Sequence, residues 1–304
     1  MKSWARHPLR VTGRLLWLGG EIILAGLNYV RWRAFRPATA LSIARAAWLQ
    51  ESSRRVLRVF GTQTSVAGRI PGSGLLVCNH LSYLDVLMLA CIAPSRFVAK
   101  SEVRMWPVLG CFARLAGTIF VDRNRRSEAA RSAEEIEAAL AEGSLVVLFP
   151  EGTSSGGETV LPFKSSLLEP AARNLHSLTA GWIAYELTDG DASEEVCYWK
   201  NMELLPHLIN LLSKRTVRAF FHFAETRPRT TNRKVLARQL HAQVLHLKTK
   251  FATTSFSMQT GSGKRSRELN PTHSGHEKPE SLFVAANPFV SGTRRNPFSR
   301  HIPQ

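Results

Sequence analysis

In this 304-residue chain, the residues whose types and spacing most directly suggest catalytic chemistry are His80 and Asp85, which lie five residues apart. An apolar run ends at Cys78, and helical spacing of apolar residues begins at Tyr83, so His80 lies in a turn between a strand and a helix. A residue in such a turn can fold back over the first turn of the helix and meet Asp85. A carboxylate on one ring nitrogen makes the other a better base for taking a proton from an alcohol.

The same pair also has a purely structural interpretation. A His and an Asp this close often do no more than satisfy the polar groups of a turn. Near them no Ser or Cys has the setting of a nucleophile, so in the catalytic interpretation the substrate itself supplies the hydroxyl.

A second polar loop follows the apolar run at residues 145–149, which Pro150 interrupts. Glu151, Gly152 and Thr153 open this loop, and Ser and Gly residues continue it. On its own it has the composition of an ordinary turn. Because ligands of an open α/β sheet bind at the carboxyl ends of the strands, we expect the two loops to line one site.

Three sequence blocks resemble those of the glycerolipid acyltransferase family, typified by 1-acyl-glycerol-3-phosphate acyltransferases. Residues 79–85 (NHLSYLD) are similar to its N-H-x-x-x-x-D block, residues 117–123 (GTIFVDR) to its Gly-x-Ile/Val-Phe-Val/Ile-x-Arg block, and residues 149–153 (FPEGT) to its F-P-E-G-T block. Order and spacing agree over about residues 60–185, and three ordered blocks are more specific than one. The fourth family block contains a proline, which residues 178–185 lack.

The resemblance implies an α/β fold with a mixed sheet flanked by helices, and an O-acyltransferase. Such an enzyme moves a fatty acyl group from acyl-coenzyme A or acyl-carrier protein to the hydroxyl of a lysophospholipid, without a cofactor or metal. The leading expectation for the acceptor is 1-acyl-glycerol-3-phosphate, with phosphatidate as product. Because the fourth block diverges, a lyso-ornithine lipid or another lysolipid is the alternative.

The resemblance also assigns roles to individual residues. His80 is the expected general base, and Asp85 steadies the imidazolium that forms. Arg123 matches the family arginine that binds the acceptor phosphate. Lys164 resembles a family lysine, although a surface lysine beside a turn is an equal interpretation. In the second loop, Gly152 and Thr153 are expected to donate hydrogen bonds to the acceptor. The Glu151 carboxylate is expected either to bind the acceptor or to hold the loop.

The formal charge of +17 implies an anionic partner, and its distribution points to a membrane. Residues 1–60 carry eleven Lys or Arg against Glu21 and Glu51, interleaved with four tryptophans, a pattern typical of membrane interfaces. Residues 15–30 would form a helix of about 24 Å, shorter than the roughly 30 Å hydrocarbon core. We therefore expect a helix lying in one leaflet, and we expect the amino-terminal helices to wall the acyl channel. A tilted single span remains open if residues 11–32 are all helical.

These patterns divide the chain into membrane-associated helices at 1–60, an acyltransferase domain at 61–251 and a disordered tail at 252–304. The four cysteines lack C-x-x-C spacing, which favours reduced residues in a domain on the cytoplasmic face. A non-enzymatic basic protein that binds lipid surfaces or nucleic acid is a further alternative, but it leaves the three ordered blocks unexplained. We therefore expect membrane lipid and no nucleic acid as partners.

Further elements are predicted from apolar periodicity. They are strands at 75–78, 97–99, 118–121, 145–149, 178–185 and 217–223, a buried helix at 105–115 around Pro107, helices at 127–142, 202–212 and 233–251, and an acidic insertion at 186–195.

Overall fold

The computed structural model describes residues 7–35, 41–122, 126–173, 176–227 and 230–261, so Arg123 and residues 262–304 lie outside the described part. Within these ranges seven strands form one sheet. The strands are β1 (Thr62–Ala67), β2 (Gly74–Cys78), β3 (Arg96–Lys100), β4 (Ile119–Val121), β5 (Leu145–Leu148), β6 (Leu178–Leu187) and β7 (Val217–Thr226).

The strand order is β1-β7-β6-β2-β5-β3-β4. From β6 to β4 all neighbours are parallel, whereas β7 is antiparallel to β6, and β1 is parallel to β7. The sheet is therefore mixed, as predicted. Every residue of β2 and β5 is buried, as expected of central strands covered on both faces. The edge strand β1 was not predicted, because its sequence is polar and has no apolar run. It is a strand because it pairs with β7.

The sheet is flanked by helices. Among the described residues these are α1 (Pro8–Phe35), α2 (Leu41–Val59), α3 (Leu84–Ile92), α4 (Leu109–Leu115), α5 (Arg126–Ala141), α6 (Glu169–Arg173), α7 (Ala192–Glu195), α8 (Leu204–Ser213) and α9 (Arg233–Gly261), with 3₁₀ turns at Ser101–Met105 and Ser165–Leu168.

The amino-terminal helices pack on the rest of the protein. Trp48 of α2 is buried, and its indole N–H donates to the carbonyl oxygen of Ala25 in α1 at 2.9 Å. At the other end of α1 the Arg10 guanidinium donates to the carbonyl oxygen of Ser213 at the end of α8, at 2.8 Å. Buried residues of both helices, including Phe60 just after α2, belong to the same apolar cluster as β2 and α3.

The outward face of α1 is apolar and exposed. Leu9, Leu16, Ile23 and Val30 recur every seven residues, which places them on one face of the helix, and all four are exposed. The buried residues of α1, such as Leu18, lie on another side. No helix in the described ranges combines the length and apolar character needed to span a membrane.

Two predicted elements differ from the structure. The buried helix predicted at 105–115 is confirmed only from Leu109 to Leu115 and is wrong before that, because Met105 ends a 3₁₀ turn and is 83% exposed. Pro107 is the physical reason, because proline disfavours helical backbone in the preceding residue, and Trp106 is accordingly extended. Helix α9 continues to Gly261, past residue 252 where the tail was expected to begin.

Candidate active site

His80 and Asp85 meet at the carboxyl end of β2. The chain leaves β2 at Cys78, turns, and enters α3 at Leu84, so Asp85 lies in the first helical turn. His80 Nδ1 lies 2.7 Å from Asp85 Oδ2. The Asp85 side chain is fully buried, whereas that of His80 is 23% exposed. The turn thus folds back over the helix start, and the imidazole edge opposite Asp85 can reach a substrate.

Further hydrogen bonds hold the Asp85 carboxylate in place. Its Oδ2 also accepts the backbone N–H groups of Leu81 at 2.7 Å and Ser82 at 3.0 Å. Its Oδ1 accepts the hydroxyl of Tyr185, on β6, at 2.6 Å. A carboxylate surrounded by donors is an acceptor, so the proton between it and His80 belongs on Nδ1, leaving the Nε2 lone pair free to accept a proton.

Strand β6 is positioned for this contact by its close pairing with β2. The Asn79 amide bridges the backbone of Ile183, donating to its oxygen at 3.0 Å and accepting from its N–H at 2.8 Å. Gly181 allows the close approach, because a Cβ there would lie 2.4 Å from Cys78 Sγ. Tyr185 follows Ile183 by two residues, and therefore points to the same side of the strand.

The second loop holds His80 from the other side. Glu151 is buried, and its Oε1 accepts the backbone N–H of His80 at 3.0 Å, while its Oε2 accepts that of Leu161 at 3.2 Å. The N–H of Ser155 donates to the His80 carbonyl oxygen at 3.0 Å, and the Phe149 ring stacks on the imidazole at 4.2 Å between centroids. The two loops predicted to line one site are thus directly joined.

Burial is the largest influence on the Glu151 carboxyl, and it raises the pKa of this group to about 7. The nearby Asp85 charge raises the pKa further, whereas the N–H groups of His80 and Leu161 and the His80 charge lower it. Because its two carboxyl oxygens accept the backbone N–H groups of His80 and Leu161, Glu151 fixes the conformation of the two loops.

The remaining predicted site residues lie around this centre. Gly152 has a positive φ of 69° and donates its N–H to the Phe149 carbonyl oxygen at 3.1 Å, so its backbone forms the turn after β5. Thr153 is exposed at the cavity described below. Lys164 has an exposed side chain, and its N–H donates to the Pro150 carbonyl oxygen at 2.8 Å. Arg123 falls outside the described residues.

A cavity of about 390 Å³ opens beside His80. Gly152, Thr153 and Ser154 lie at the polar part of its wall, and the rest is mainly apolar. The apolar lining comes from α3, from β3, β4 and the segment between them, and from β5 and the 3₁₀ turn before α6: Val86, Leu87, Phe97, Val98, Val103, Trp106, Leu109, Phe112, Val121, Leu148 and Leu167.

The cavity wall differs from the one expected from sequence. Helix α2 contributes Leu49, and within the described residues α1 contributes none, so the expectation that the amino-terminal helices wall the channel holds for this cavity only at Leu49. The rest of the wall comes from elements of the domain itself. In the described part of the chain no group of three or more His, Cys, Asp or Glu is placed to hold a metal ion.

Tyr185 is the site residue that sequence reasoning missed. It lies one hundred residues from Asp85 along the chain and was read only as part of an apolar strand. The available signal was a polar-tipped aromatic residue in an otherwise buried strand, since a buried Tyr hydroxyl usually has a hydrogen-bond partner. The partner itself is set by the pairing of β6 with β2.

Comparisons with known proteins show which proteins this chain resembles. Residues 59–178 match the family model described as Acyltransferase. The chain is 35% identical to the lyso-ornithine lipid O-acyltransferase of Brucella abortus, over 63% of this chain and 78% of that protein. It is 41% identical to the 1-acyl-sn-glycerol-3-phosphate acyltransferase of Neisseria gonorrhoeae, over 33% of this chain and 40% of that protein. The fold resembles the crystal structure of the 1-acyl-sn-glycerophosphate acyltransferase of Thermotoga maritima, with a TM-score of 0.63 and 19% identity over 82% of this chain and 98% of that one.

Proposed function

The chain belongs to the glycerolipid acyltransferase family and is an O-acyltransferase, and from this we propose that it acylates the hydroxyl of a lyso-ornithine lipid with His80 as general base. The observation that carries the proposal is the 2.7 Å contact between His80 Nδ1 and Asp85, at a histidine that lines the cavity. This arrangement is a base with an orienting carboxylate. In the described part of the chain no Ser, Thr or Cys side chain is hydrogen-bonded to the imidazole, as an acyl-enzyme route would need.

The reaction then proceeds by direct transfer. As the acceptor oxygen attacks the thioester carbonyl carbon, its proton passes to His80 Nε2, and Asp85 stabilises the resulting imidazolium. The C–O bond forms, the C–S bond breaks, and the thiolate leaves with a proton returned from the imidazolium. The product is the acylated lipid, and His80 is neutral again.

The apolar cavity supports the transfer of a fatty chain. Its walls beside His80 offer an apolar environment for a hydrocarbon chain, and removing that chain from water favours binding. The donor in this proposal is acyl-coenzyme A or acyl-carrier protein, since both present the thioester that the chemistry requires.

The extent of similarity favours the lyso-ornithine acceptor. The Brucella relative matches over 207 residues, further than the range covered by the family model, whereas the Neisseria relative matches over 105. Within its shorter range the Neisseria relative is more identical to this chain, at 41% against 35% for the Brucella relative, and this favours 1-acyl-glycerol-3-phosphate as a second candidate. In either case Thr153 donates its hydroxyl to the acceptor. With 1-acyl-glycerol-3-phosphate as acceptor, Arg123 and Lys164 bind the phosphate oxygens.

The exposed apolar face of α1 supports the proposal that the enzyme binds a membrane surface. Leu16, Ile23 and Val30 on this face insert into one leaflet at the cytoplasmic side, and the basic residues around them contact anionic lipid. A helix lying in the interface brings the acceptor lipid to the site without removing it fully from the bilayer.

The test uses protein purified into anionic vesicles, with labelled acyl-coenzyme A or acyl-carrier protein as donor. Lyso-ornithine lipid and 1-acyl-glycerol-3-phosphate are supplied in parallel to the wild type, to His80→Ala and to the control His246→Ala, which changes an exposed histidine of α9. We expect ornithine lipid from the wild type and the control only. Equal product from His80→Ala would exclude His80 as the base, and phosphatidate alone would move the acceptor to the second candidate.

A further inference from the structure

The segment that links α7 to α8 forms one wall of the cavity through Tyr198, Trp199 and Lys200. The N–H of Tyr198 donates to the carbonyl oxygen of Leu81, in the loop after β2, at 2.8 Å. The carbonyl oxygen of Tyr198 accepts the hydroxyl of Ser154, in the loop after β5. The segment is therefore attached to both loops that build the site.

The Trp199 ring is held in a fixed position within this wall. Its indole N–H donates to the carbonyl oxygen of Ser193 at 2.9 Å. Its ring packs on the backbone of Gly156, where a Cβ would lie 2.6 Å from the ring atom Cζ2. Only a glycine at position 156 leaves room for the ring, so the second loop and the segment interlock.

Lys200 presents a positive charge from this wall. Its ammonium lies 3.7 Å from the centroid of the Trp199 ring and 3.5 Å from Glu194 Oε1. Both charged side chains are more than half exposed, so a ligand can reach either without breaking a buried pair. Lys200 has a φ of 54°, a backbone conformation that favours glycine, and yet the position carries a long cationic side chain.

We propose that Lys200 and Glu194 bind the head group of a zwitterionic lysolipid acceptor, with its carboxylate on Lys200 and its ammonium on Glu194. This inference rests on the proposed function and specifies the acceptor. An ornithine acylated on one amino group keeps a carboxylate and a second amine, both charged at neutral pH. Opposite charges 3.5 Å apart beside the cavity match such a head group.

The same pair discriminates against a purely anionic head group. A phosphate monoester gains an attraction to Lys200, but Glu194 repels it. Specificity of this kind comes from the unfavourable contact as much as from the favourable one. Glu194 therefore has opposite effects on the two acceptors, whereas Lys200 favours the binding of both. A purely structural ion pair would have neither effect.

The experiment measures the KM for lyso-ornithine lipid and for 1-acyl-glycerol-3-phosphate in mixed micelles, with acyl-coenzyme A and acyl-carrier protein tested as donors and the better one kept saturating. We expect Lys200→Gln to raise the KM for both acceptors about fivefold, a size typical of a partly exposed charge contact. Glu194→Gln should raise the KM for lyso-ornithine lipid and lower that for the phosphate. Arg218→Gln and Glu186→Gln, which change a similarly exposed ion pair on β6 and β7, are the controls.

Lys200→Gly separates recognition from folding. Glycine suits the positive φ at this position, so we expect the thermal midpoint to stay or rise while the acceptor KM increases as in Lys200→Gln. A lower thermal midpoint with unchanged acceptor KM values would make Lys200 structural and overturn the proposal.

The remaining outcomes separate this inference from the proposed function. Wild type that acylates lyso-ornithine lipid, together with a Glu194→Gln variant in which the ratio of the two acceptor KM values equals that of the wild type, would overturn the inference alone. Wild type that acylates neither acceptor with either donor would overturn the proposed function and this inference with it.

Discussion

The Tyr185 hydroxyl donates a 2.6 Å hydrogen bond to Asp85 Oδ1, on the carboxylate whose other oxygen contacts His80. Both residues are buried, and burial is the main reason that the pKa of Tyr185 lies well above its ordinary value, so the hydroxyl keeps its proton and donates. Three elements, β2, α3 and β6, are thereby joined at the candidate base.

Replacing Tyr185 by Phe should lower kcat about tenfold and move the acidic limb of the pH–activity profile to higher pH. Without this hydrogen-bond donor, the Asp85 carboxylate stabilises the His80 imidazolium more strongly, so a higher pH is needed to deprotonate it. Profiles of kcat/KM from pH 5 to 9 measure the shift. Tyr29→Phe, which changes a tyrosine packed on Trp48, should leave the profile in place; an unshifted profile in Tyr185→Phe would limit Tyr185 to a structural role.

Asp85→Asn should reduce kcat roughly a thousandfold with little change in the acceptor KM. The amide oxygen takes the position of Oδ2, because the N–H groups of Leu81 and Ser82 donate there, and this uncharged oxygen stabilises the His80 imidazolium far less than a carboxylate does. Steady-state kinetics in vesicles measure this, with Asp191→Asn, at the exposed cap of α7, as control. A variant with wild-type kcat would contradict the assignment.

Glu151 should make the stability of the protein fall as pH rises from about 4.5 to 7. Its pKa is near 7 in the folded state against an ordinary 4.5, so in this range the folded state binds more protons than the unfolded one. The loss is on the order of 3 kcal/mol in the free energy of unfolding.

The measurement is urea unfolding at pH 5 and pH 8 for the wild type and Glu151→Gln. We expect the variant to be less stable at pH 5, because its amide can accept only one of the two N–H groups, and to lose less stability on going to pH 8. Other titrating groups, such as His207, are common to both proteins and cancel in the difference. Equal pH dependence of the two proteins would refute the prediction.

Replacing the exposed apolar residues of α1 should weaken membrane binding. Leu16→Ser, Ile23→Ser and Val30→Ser together should lower the affinity for anionic vesicles at least tenfold, because less apolar surface leaves water. Sedimentation with vesicles measures this, with Leu245→Ser on α9 as control. Deletion of residues 1–60 is a poorer test, since it removes Trp48 and Phe60 from the core. Unchanged sedimentation of the triple variant would exclude this face as the membrane contact.

Arg123→Ala should raise the KM for an acceptor with an anionic head group several-fold more than the KM for the donor. A guanidinium that binds acceptor oxygens contributes to acceptor binding alone, whereas a structural arginine affects both substrates. Initial rates with each substrate varied in turn give the two values, and Arg131→Ala, on the exposed side of α5, is the control. Equal increases in both KM values would assign Arg123 a structural role.

The central elements of the fold could be predicted from local sequence. Strands β2 and β5 are apolar at every position because both faces are covered, so their pattern is visible without any partner. The polar strand β1 has no such pattern, and pairing with β7 alone forms it. The helix predicted across Pro107 begins only at Leu109, because proline restricts the backbone of Trp106 to the extended conformation whatever the apolar content of the segment.

The sequence by itself determined the pairing of His80 with Asp85, since five residues across a strand-to-helix turn restrict where these side chains can go. It also determined the family, through three ordered blocks. Only the tertiary structure decided that Tyr185 completes the carboxylate's hydrogen bonds, that Glu151 joins the two loops, and that Lys200 borders the cavity. The physical reason is that these contacts depend on strand order and on packing between distant segments, and neither is encoded in the spacing of neighbouring residues.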